Sequence, residues 1–296
     1  LFGQTDAPIV IVLGGISASR HVAAHADDLT PGWWDSVVGE GKPIDPNVVR
    51  ILGVDFLDGG RGSDGRPQRV VTTYDQADAI AQVLDEIGVT RAHAIVGASY
   101  GGMVGLAFAE KYPERIERLV VVSAPHQPHP MSTALRSLQR RIVQLGIDTD
   151  ETTEALALAR GLAMTTYRSA REFAERFECT PIEQSTNDAI FPVEGYLRHH
   201  GERFAATWTA ERFLALSLSG DLHNVDPSRI HTPTTIIAAE GDTIVPRAQL
   251  DTLVFLLAGP VTFAELSTIH GHDAFLTEPE QLAPILDAAL SPLSFS

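Results

Sequence analysis

The residues with the clearest chemical potential are a serine, an aspartate and two histidines, each placed just after a predicted strand. Ser99 lies at the centre of Gly97-Ala98-Ser99-Tyr100-Gly101, between an apolar run at residues 92–96 and a helical pattern that stops before Pro113. Strand, Gly-x-Ser-x-Gly and helix in this order are typical of a nucleophile elbow. The glycines permit a sharp turn, and the hydroxyl is left near the positive end of the helix. The pattern predicts that Ser99 is a catalytic nucleophile.

A serine hydroxyl needs a base to take its proton and an acid to orient that base. Asp242 follows an apolar run at residues 234–239, and His270 and His272 follow another at residues 261–266. The chain order serine, acid, histidine is that of α/β-hydrolase sheets, in which the partners follow later strands. Asp242 is therefore predicted to be the acid, and either histidine could be the base.

The predicted elements indicate one sheet interrupted by a block of helices. Strands and helices alternate over residues 1–126, which predicts an α/β fold with a mostly parallel sheet covered on both faces. Residues 127–228 show helical patterns over 132–144, 154–167 and 171–177 and no clear strand, and the sheet pattern resumes at residue 234. We therefore predict a core of residues 1–126 and 229–296, with residues 127–228 inserted as a helical lid.

Two local patterns in the first segment also make predictions. Thr73, with Gln76 three residues later, predicts a helix start with a capping box. Residues 28–41 predict a loop and a short helix anchored by Trp33 and Trp34.

Composition excludes several classes of function. A net charge of -16 over 296 residues argues against a nucleic-acid or anionic-membrane partner. No apolar run approaches the ~20 residues that span a bilayer, and Cys179 is the only cysteine, which fits a reducing cytoplasm. His21 and His25 could share a helix face but lack a third ligand, so we expect no metal site.

Several segments together resemble a known family. They are the elbow continued through Gly102-Met103, Tyr112-Pro113-Glu114-Arg115, Pro31-Gly32-Trp33-Trp34-Asp35, Gly271-His272-Asp273-Ala274-Phe275-Leu276 and, in the helical block, Glu194-Gly195-Tyr196-Leu197. Spread over nearly the whole chain, they resemble the homoserine O-acyltransferases of the MetX type, which are α/β-hydrolase-fold enzymes of methionine biosynthesis.

The resemblance assigns roles residue by residue. It implies that Ser99 is the acylated nucleophile and Asp242 the orienting acid, and that the base is His272 rather than His270. The backbone N–H groups of Ile16 and Tyr100 would form the oxyanion hole.

The same resemblance implies how a substrate would be held. Arg160 would bind the substrate carboxylate and Asp273 the substrate amino group, which suits the two opposite charges of an amino acid.

The expected function is therefore transfer of an acyl group from acetyl-CoA or succinyl-CoA to homoserine through an acyl-serine, without a permanently bound cofactor. The family's lid helices suggest a homodimer, and we expect it to be cytoplasmic. A serine O-acyltransferase, an esterase and a catalytically inactive binding protein remain alternatives. The inserted block carries a group of arginines that either receive the CoA phosphates or lie on solvated helix faces: Arg136, Arg140, Arg141, Arg160, Arg168, Arg171 and Arg176.

Overall fold

The computed structural model describes residues 1–291, and its centre is a seven-stranded sheet. In spatial order the strands are β1 (Phe2–Gly3), β3 (Arg50–Gly53), β2 (Ile9–Leu13), β4 (Ala92–Ala98), β5 (Ile116–Val122), β8 (Thr234–Ala239) and β9 (Val261–Leu266). Only the edge pair β1–β3 is antiparallel. The predicted α/β class with a mostly parallel sheet is confirmed.

The strands are apolar along their whole length because helices cover both faces of the sheet. Ile9, Ile11 and Leu13 of β2 pack into one cluster, which includes residues of α1 (Thr73–Glu86), α2 (Tyr100–Lys111) and α8 (Arg247–Leu256). Val10 and Val12 point to the opposite face, where they share a second cluster with residues of α10 (Pro279–Leu290). Successive side chains of one strand therefore hold both layers of the sandwich.

Five helices stand between β5 and β8. They are α3 (Pro130–Asp148), α4 (Thr152–Tyr167), α5 (Ala170–Arg176), α6 (Pro192–Ala205) and α7 (Ala210–Asp221). They have a small core of their own, in which Val143, Leu156, Phe204, Phe213 and Leu214 meet. A pair of two-residue strands, β6 (Glu183–Gln184) and β7 (Ala189–Ile190), lies within this block, where the sequence showed no strand.

The residues around the paired tryptophans differ from the prediction. Residues 28–41 form turns and bridges, without the expected short helix. The indole of Trp34 is fully buried and donates to the Phe275 carbonyl oxygen at 2.9 Å, while Trp33 stacks on it with centroids 5.0 Å apart. The segment is thus held by indole contacts rather than by helical hydrogen bonds.

The capping box of α1 lies one residue earlier than predicted. Thr72 is the N-cap, and its partner three residues later is Asp75. Gln76 instead bonds the backbone N–H and carbonyl oxygen of Leu57. The prediction failed because Gln76 is used for a tertiary contact, which the local pattern does not contain.

The sequence did not predict β1, α7 or α8. A final short helix, α9 (Ala274–Thr277), precedes α10.

The predicted core segment 229–296 extends into residues 292–296, which lie outside the described residues. Within residues 1–291, no helix combines the length and apolarity needed to cross a membrane.

Candidate active site

Ser99 stands at the sharp turn between β4 and α2. Its backbone angles, φ 53° and ψ −119°, lie in a region that costs a non-glycine residue free energy. The turn is possible because neighbouring backbones approach two glycines closely. A Cβ on Gly97 would lie 2.4 Å from the Gly101 carbonyl oxygen, and a Cβ on Gly101 would lie 2.3 Å from that of Leu13. The predicted elbow is present, and its glycines are required sterically.

A continuous chain of hydrogen bonds links the serine, the histidine and the aspartate. His272 Nε2 lies 2.7 Å from Ser99 Oγ, and His272 Nδ1 lies 2.8 Å from Asp242 Oδ2. The other carboxylate oxygen of Asp242 accepts the backbone N–H groups of Ile244 and Val245, both at 2.9 Å. The carboxylate is therefore fixed in position. It favours the tautomer of His272 in which Nδ1 carries the proton and Nε2 can accept the serine proton.

The surroundings of His272 determine how readily it takes a proton. Burial of this ring opposes protonation, but the charge and hydrogen bond of Asp242, together with the negative charge of Asp273, raise its pKa above the ordinary 6.5. Arg136 acts in the opposite direction and lowers the same pKa. The imidazole thus has the increased basicity that suits a general base.

The structure separates the two candidate histidines. His270 Nδ1 lies 3.0 Å from an oxygen of Glu172, a buried residue of α5, whereas His272 reaches Ser99. Gly271, with φ +61°, forms the turn between them. The sequence order left both residues open because both lie on the loop after β9.

Two backbone N–H groups next to Ser99 are free for a ligand. Among residues 1–291, neither the Ile16 nor the Tyr100 N–H has a hydrogen-bond acceptor. Both residues line the cavity at Ser99, and the Gly101 N–H, which donates to the Gly14 carbonyl oxygen at 2.9 Å, joins the Ile16 loop to α2. This arrangement is compatible with an oxyanion hole.

The space at Ser99 extends in two directions. A lid-side chamber runs between α3, α4 and α7 and is mostly apolar, with Met103, Leu135, Phe204, Trp208 and Phe213 in its wall. A loop-side chamber is bounded by residues 15–18, Trp33, Asp273, Phe275 and Leu276. Residues common to both walls are Ile16, Ser99, Arg160, Tyr167 and His272. Ser99 can therefore be reached from either chamber.

Arg160 lies at the junction of the two chambers without an acidic partner among residues 1–291. Its guanidinium carbon is 5.1 Å from the Tyr167 ring centroid and 4.9 Å from that of Phe204. Cation–π contacts of this kind position a guanidinium but leave its N–H donors available. A carboxylate in the cavity would find an unneutralised cation.

Asp273 is already engaged. Its Oδ2 lies 3.0 Å from Arg168 Nε. Burial raises the pKa of the Asp273 carboxyl above its ordinary value, although the positive charge of Arg168 opposes this shift. Asp273 lines the loop-side chamber, so a substrate ammonium group would share this carboxylate with Arg168.

Similarity to characterised proteins adds to this geometry. A family model described as alpha/beta hydrolase fold matches residues 8–279. Homoserine O-succinyltransferase of Xanthomonas campestris pv. campestris is 43% identical over 98% of this chain and 77% of its own length. An L-serine/homoserine O-acetyltransferase of Streptomyces lavendulae is 33% identical over 96% of this chain and 88% of its own. The chain belongs to the homoserine O-acyltransferase family of α/β hydrolases.

Solved structures agree at the level of the fold. Homoserine O-acetyltransferase from Bacillus anthracis superposes with a TM-score of 0.88 at 18% identity, over 98% of this chain and 91% of that one. Esterase E22 gives 0.85 at 20% identity, over 98% and 92%. At these identities the similarity shows the fold.

The arginines of this family member do not form one free cationic surface. Arg136 and Arg140 both reach Asp221, at 2.5 and 2.6 Å. Arg168 and Arg176 contact Glu172 at 3.4 and 2.7 Å. For these four arginines the ion pairs fit neither of the two alternatives drawn from the sequence. Arg141 and Arg171 are exposed, as the alternative of solvated helix faces predicts.

Sequence reasoning gave no role to Tyr167 or Asp221. The Tyr167 ring stacks on the His272 imidazole with centroids 6.1 Å apart, and Asp221 is the shared partner of two arginines. Nothing local to either residue signals these contacts, since each depends on how helices pack. No group of three or more potential metal-ligating side chains that could hold an ion occurs among residues 1–291.

Proposed function

We propose that this chain is an L-homoserine O-acyltransferase of methionine biosynthesis that accepts the acyl group of acetyl-CoA or succinyl-CoA. The observation that carries the proposal is the hydrogen-bonded chain from Ser99 through His272 to Asp242, at 2.7 and 2.8 Å. Membership of a family whose named members are O-acyltransferases supports it.

The first half of the reaction acylates Ser99. His272 Nε2 takes the hydroxyl proton as Ser99 Oγ attacks the thioester carbonyl carbon. The carbon–sulfur bond then breaks, and His272 returns the proton to the leaving thiolate, so that CoA departs as the free thiol. The N–H groups of Ile16 and Tyr100 stabilise the intermediate oxyanion, a contribution worth about 10²–10³ in rate for one donor.

The second half transfers the acyl group to the amino acid. The side-chain hydroxyl of homoserine gives its proton to His272, and its oxygen attacks the acyl carbon. The bond to Ser99 Oγ breaks, and the proton returns to Ser99. The reaction needs no resident cofactor, because acyl-CoA is a co-substrate.

Arg160 and Asp273 select the acceptor in this proposal. The unneutralised guanidinium of Arg160 pairs with the α-carboxylate. Asp273, beside Arg168, meets the α-ammonium group. Serine would present the same two charges, but its hydroxyl is one carbon nearer to Cα. Serine is therefore the alternative acceptor.

Residues 127–228 act as a lid on the core. A transferase must keep water from the acyl-serine, and helices α3, α4 and α7 of this block supply much of the wall of the lid-side chamber. We expect a cytoplasmic location, which use of acyl-CoA as a co-substrate supports.

The lid is also the proposed dimer contact. Leu138 and Leu145 of α3 and Leu158 of α4 are 54%, 60% and 57% exposed, and such apolar surface is typical of an interface. Light scattering should give twice the mass of one chain, and Leu138→Glu should lower it. A wild-type monomer at micromolar concentration contradicts this assignment.

One assay tests the reaction. Acetyl-CoA and succinyl-CoA are each incubated with homoserine, with serine or with no acceptor, and CoA release and acylated products are followed. We expect CoA release to depend on homoserine and to yield O-acylhomoserine. Free acid as the sole product, at a rate independent of either amino acid, would establish an esterase; preference for serine would reassign the acceptor.

A further inference from the structure

The wall of the lid-side chamber is mostly apolar, and on one side of it α3 contributes an arginine and an amide. Arg136 and Gln139, three residues apart and therefore on the same face of the helix, both line it. The surrounding wall includes Met103, Leu135, Phe213 and Val245. An arginine and an amide at one place in an apolar wall indicate a charged or strongly polar group on whatever fills the chamber.

The charges at this place do not balance. Arg136 and Arg140 both contact Asp221, whose side chain is only 6% exposed. Two guanidinium groups and one carboxylate leave one positive charge uncompensated. Arg140 is held further by Ser217, whose backbone and side-chain oxygens accept from it at 3.2 and 3.0 Å. The cluster therefore favours an additional anion.

Arg136 and Gln139 have hydrogen-bonding groups to offer such an anion. Arg136 Nε donates to Asp221 Oδ1 at 2.6 Å, while Nη2, 2.5 Å from the same oxygen, lacks hydrogen-bond geometry. A guanidinium has five N–H donors, so others remain. Gln139 is 5% exposed, and within residues 1–291 its side-chain amide has no protein partner. Buried amides normally have one.

The position of Arg136 beside the chamber at Ser99 indicates which anion it would bind. The chamber wall includes both Ser99 and Arg136, and the Arg136 charge is near enough to lower the pKa of His272. An acyl group that is attached to Ser99 Oγ and directed into this chamber would have Arg136 and Gln139 in the wall around it. A two-carbon acetyl group offers nothing for a guanidinium to bind.

We propose that Arg136, assisted by Gln139, forms a subsite for the distal carboxylate of a dicarboxylic acyl group, so that succinyl-CoA is the preferred donor. The inference rests on the proposed acyl transfer and adds the identity of the acyl group. The bonds made and broken are those already described, and the subsite only holds the far end of the chain.

The test compares two thioesters of equal chain length, succinyl-CoA and butyryl-CoA, which differ in the distal carboxylate. With Arg136→Met we expect kcat/KM for succinyl-CoA to fall about 10- to 100-fold, the usual cost of losing a charge-assisted hydrogen bond. We expect kcat/KM for butyryl-CoA to stay within about threefold or to rise. Gln139→Leu should change the ratio in the same direction by a smaller factor.

Arg141→Met is the matched control. It removes a guanidinium from the same helix, α3, but Arg141 is exposed and belongs neither to the chamber wall nor to the ion pairs with Asp221. The ratio of succinyl to butyryl activity should remain near that of the wild type. An equal loss of both activities in Arg136→Met would overturn the subsite, since it would indicate a structural ion pair or a contact with the CoA moiety.

A second measurement separates this inference from the proposed function. The mass of the intact protein after exposure to each thioester, without acceptor, reports acylation of Ser99 alone. Preferential succinylation that is lost in Arg136→Met supports the subsite even if homoserine is not the acceptor. Equal acylation by both thioesters in the wild type contradicts it, whichever acceptor is used.

Discussion

The elbow in the core and the helical block differ in what fixes their functional side chains. At the elbow, the position of Ser99 follows from its own backbone and from two glycines within two residues of it. In the helical block, Arg140 is fixed by Asp221, which is 81 residues away in the chain. The comparison teaches that the serine is positioned by its local sequence, whereas the charged side chains of the helical block are positioned by contacts that only the fold brings together.

The strongest test of the core half of this comparison removes the nucleophile. Ser99→Ala should lower kcat by about 10⁴-fold or more, because no other group can carry the acyl chain. The mass shift after incubation with acyl-CoA should disappear, and the melting temperature should change little. Retained turnover in a folded variant would rule out the covalent route.

The next largest effect concerns the acid. Since the pKa of His272 is raised above 6.5, the neutral base is lost as the pH falls through that raised value, and kcat/KM should fall with it. In Asp242→Asn the carboxylate charge is gone and burial of the imidazole dominates. The pKa should then drop, so the acid limb of the profile should move to lower pH.

The same substitution should also lower the plateau of kcat/KM by about 10⁴-fold, because the amide holds the wrong imidazole tautomer. Rates measured from pH 5 to 9 check both effects. An acid limb that does not move in Asp242→Asn would mean that another group controls it.

The contrast between the two regions also explains what the sequence could predict. The elbow was predictable because strand, glycines and helix are consecutive in the chain, and Asp242 because it directly follows the apolar strand β8. His270 and His272 could not be separated from the residues alone. Their difference is the Glu172 contact made by His270, which depends on how α5 packs on the loop after β9.

The same reason accounts for the arginines of the helical block. Their number was visible in the sequence, and the pairs of Glu172 with Arg168 and Arg176 follow the i,i+4 spacing. The pairs of Arg136 and Arg140 with Asp221 were not visible, since Asp221 lies on α7 and the two arginines lie on α3. The capping box failed in the same way, because Gln76 is used in a contact with Leu57. The paired tryptophans predicted an anchor correctly, but their burial is achieved without a helix.

A prediction for the helical block concerns the acceptor. Arg160→Met should raise the KM for homoserine about 10- to 100-fold through loss of one charge-assisted contact. Acylation of Ser99 by acyl-CoA in the absence of acceptor should be nearly unchanged. Rapid-mixing measurement of the first CoA released, beside steady-state rates, separates the two halves.

Arg171→Met is the control for that variant. It removes the same charge from the helical block, but Arg171 is exposed, and its one ion pair among residues 1–291 is with Glu175, at 2.9 Å. Its KM for homoserine should remain that of the wild type. If Arg160→Met slowed acylation as much as transfer, Arg160 would serve both substrates, and the division between core and helical block would be less sharp.

The smallest expected effects test whether the helical block is packed as tightly as the elbow. Gly201 and Gly195 lie on the same helix, α6, but a Cβ on Gly201 would lie 2.4 Å from the Ala157 carbonyl oxygen, whereas one on Gly195 would have no atom within 4 Å. Gly201→Ala should lower the free energy of unfolding by about 1–3 kcal/mol through overpacking against α4. Gly195→Ala should raise it by about 0.5–1 kcal/mol, because alanine favours the helix. Denaturant titration measures both free energies. Equal effects would mean that α6 can move away from α4, and the helical block would then be packed more loosely than the elbow.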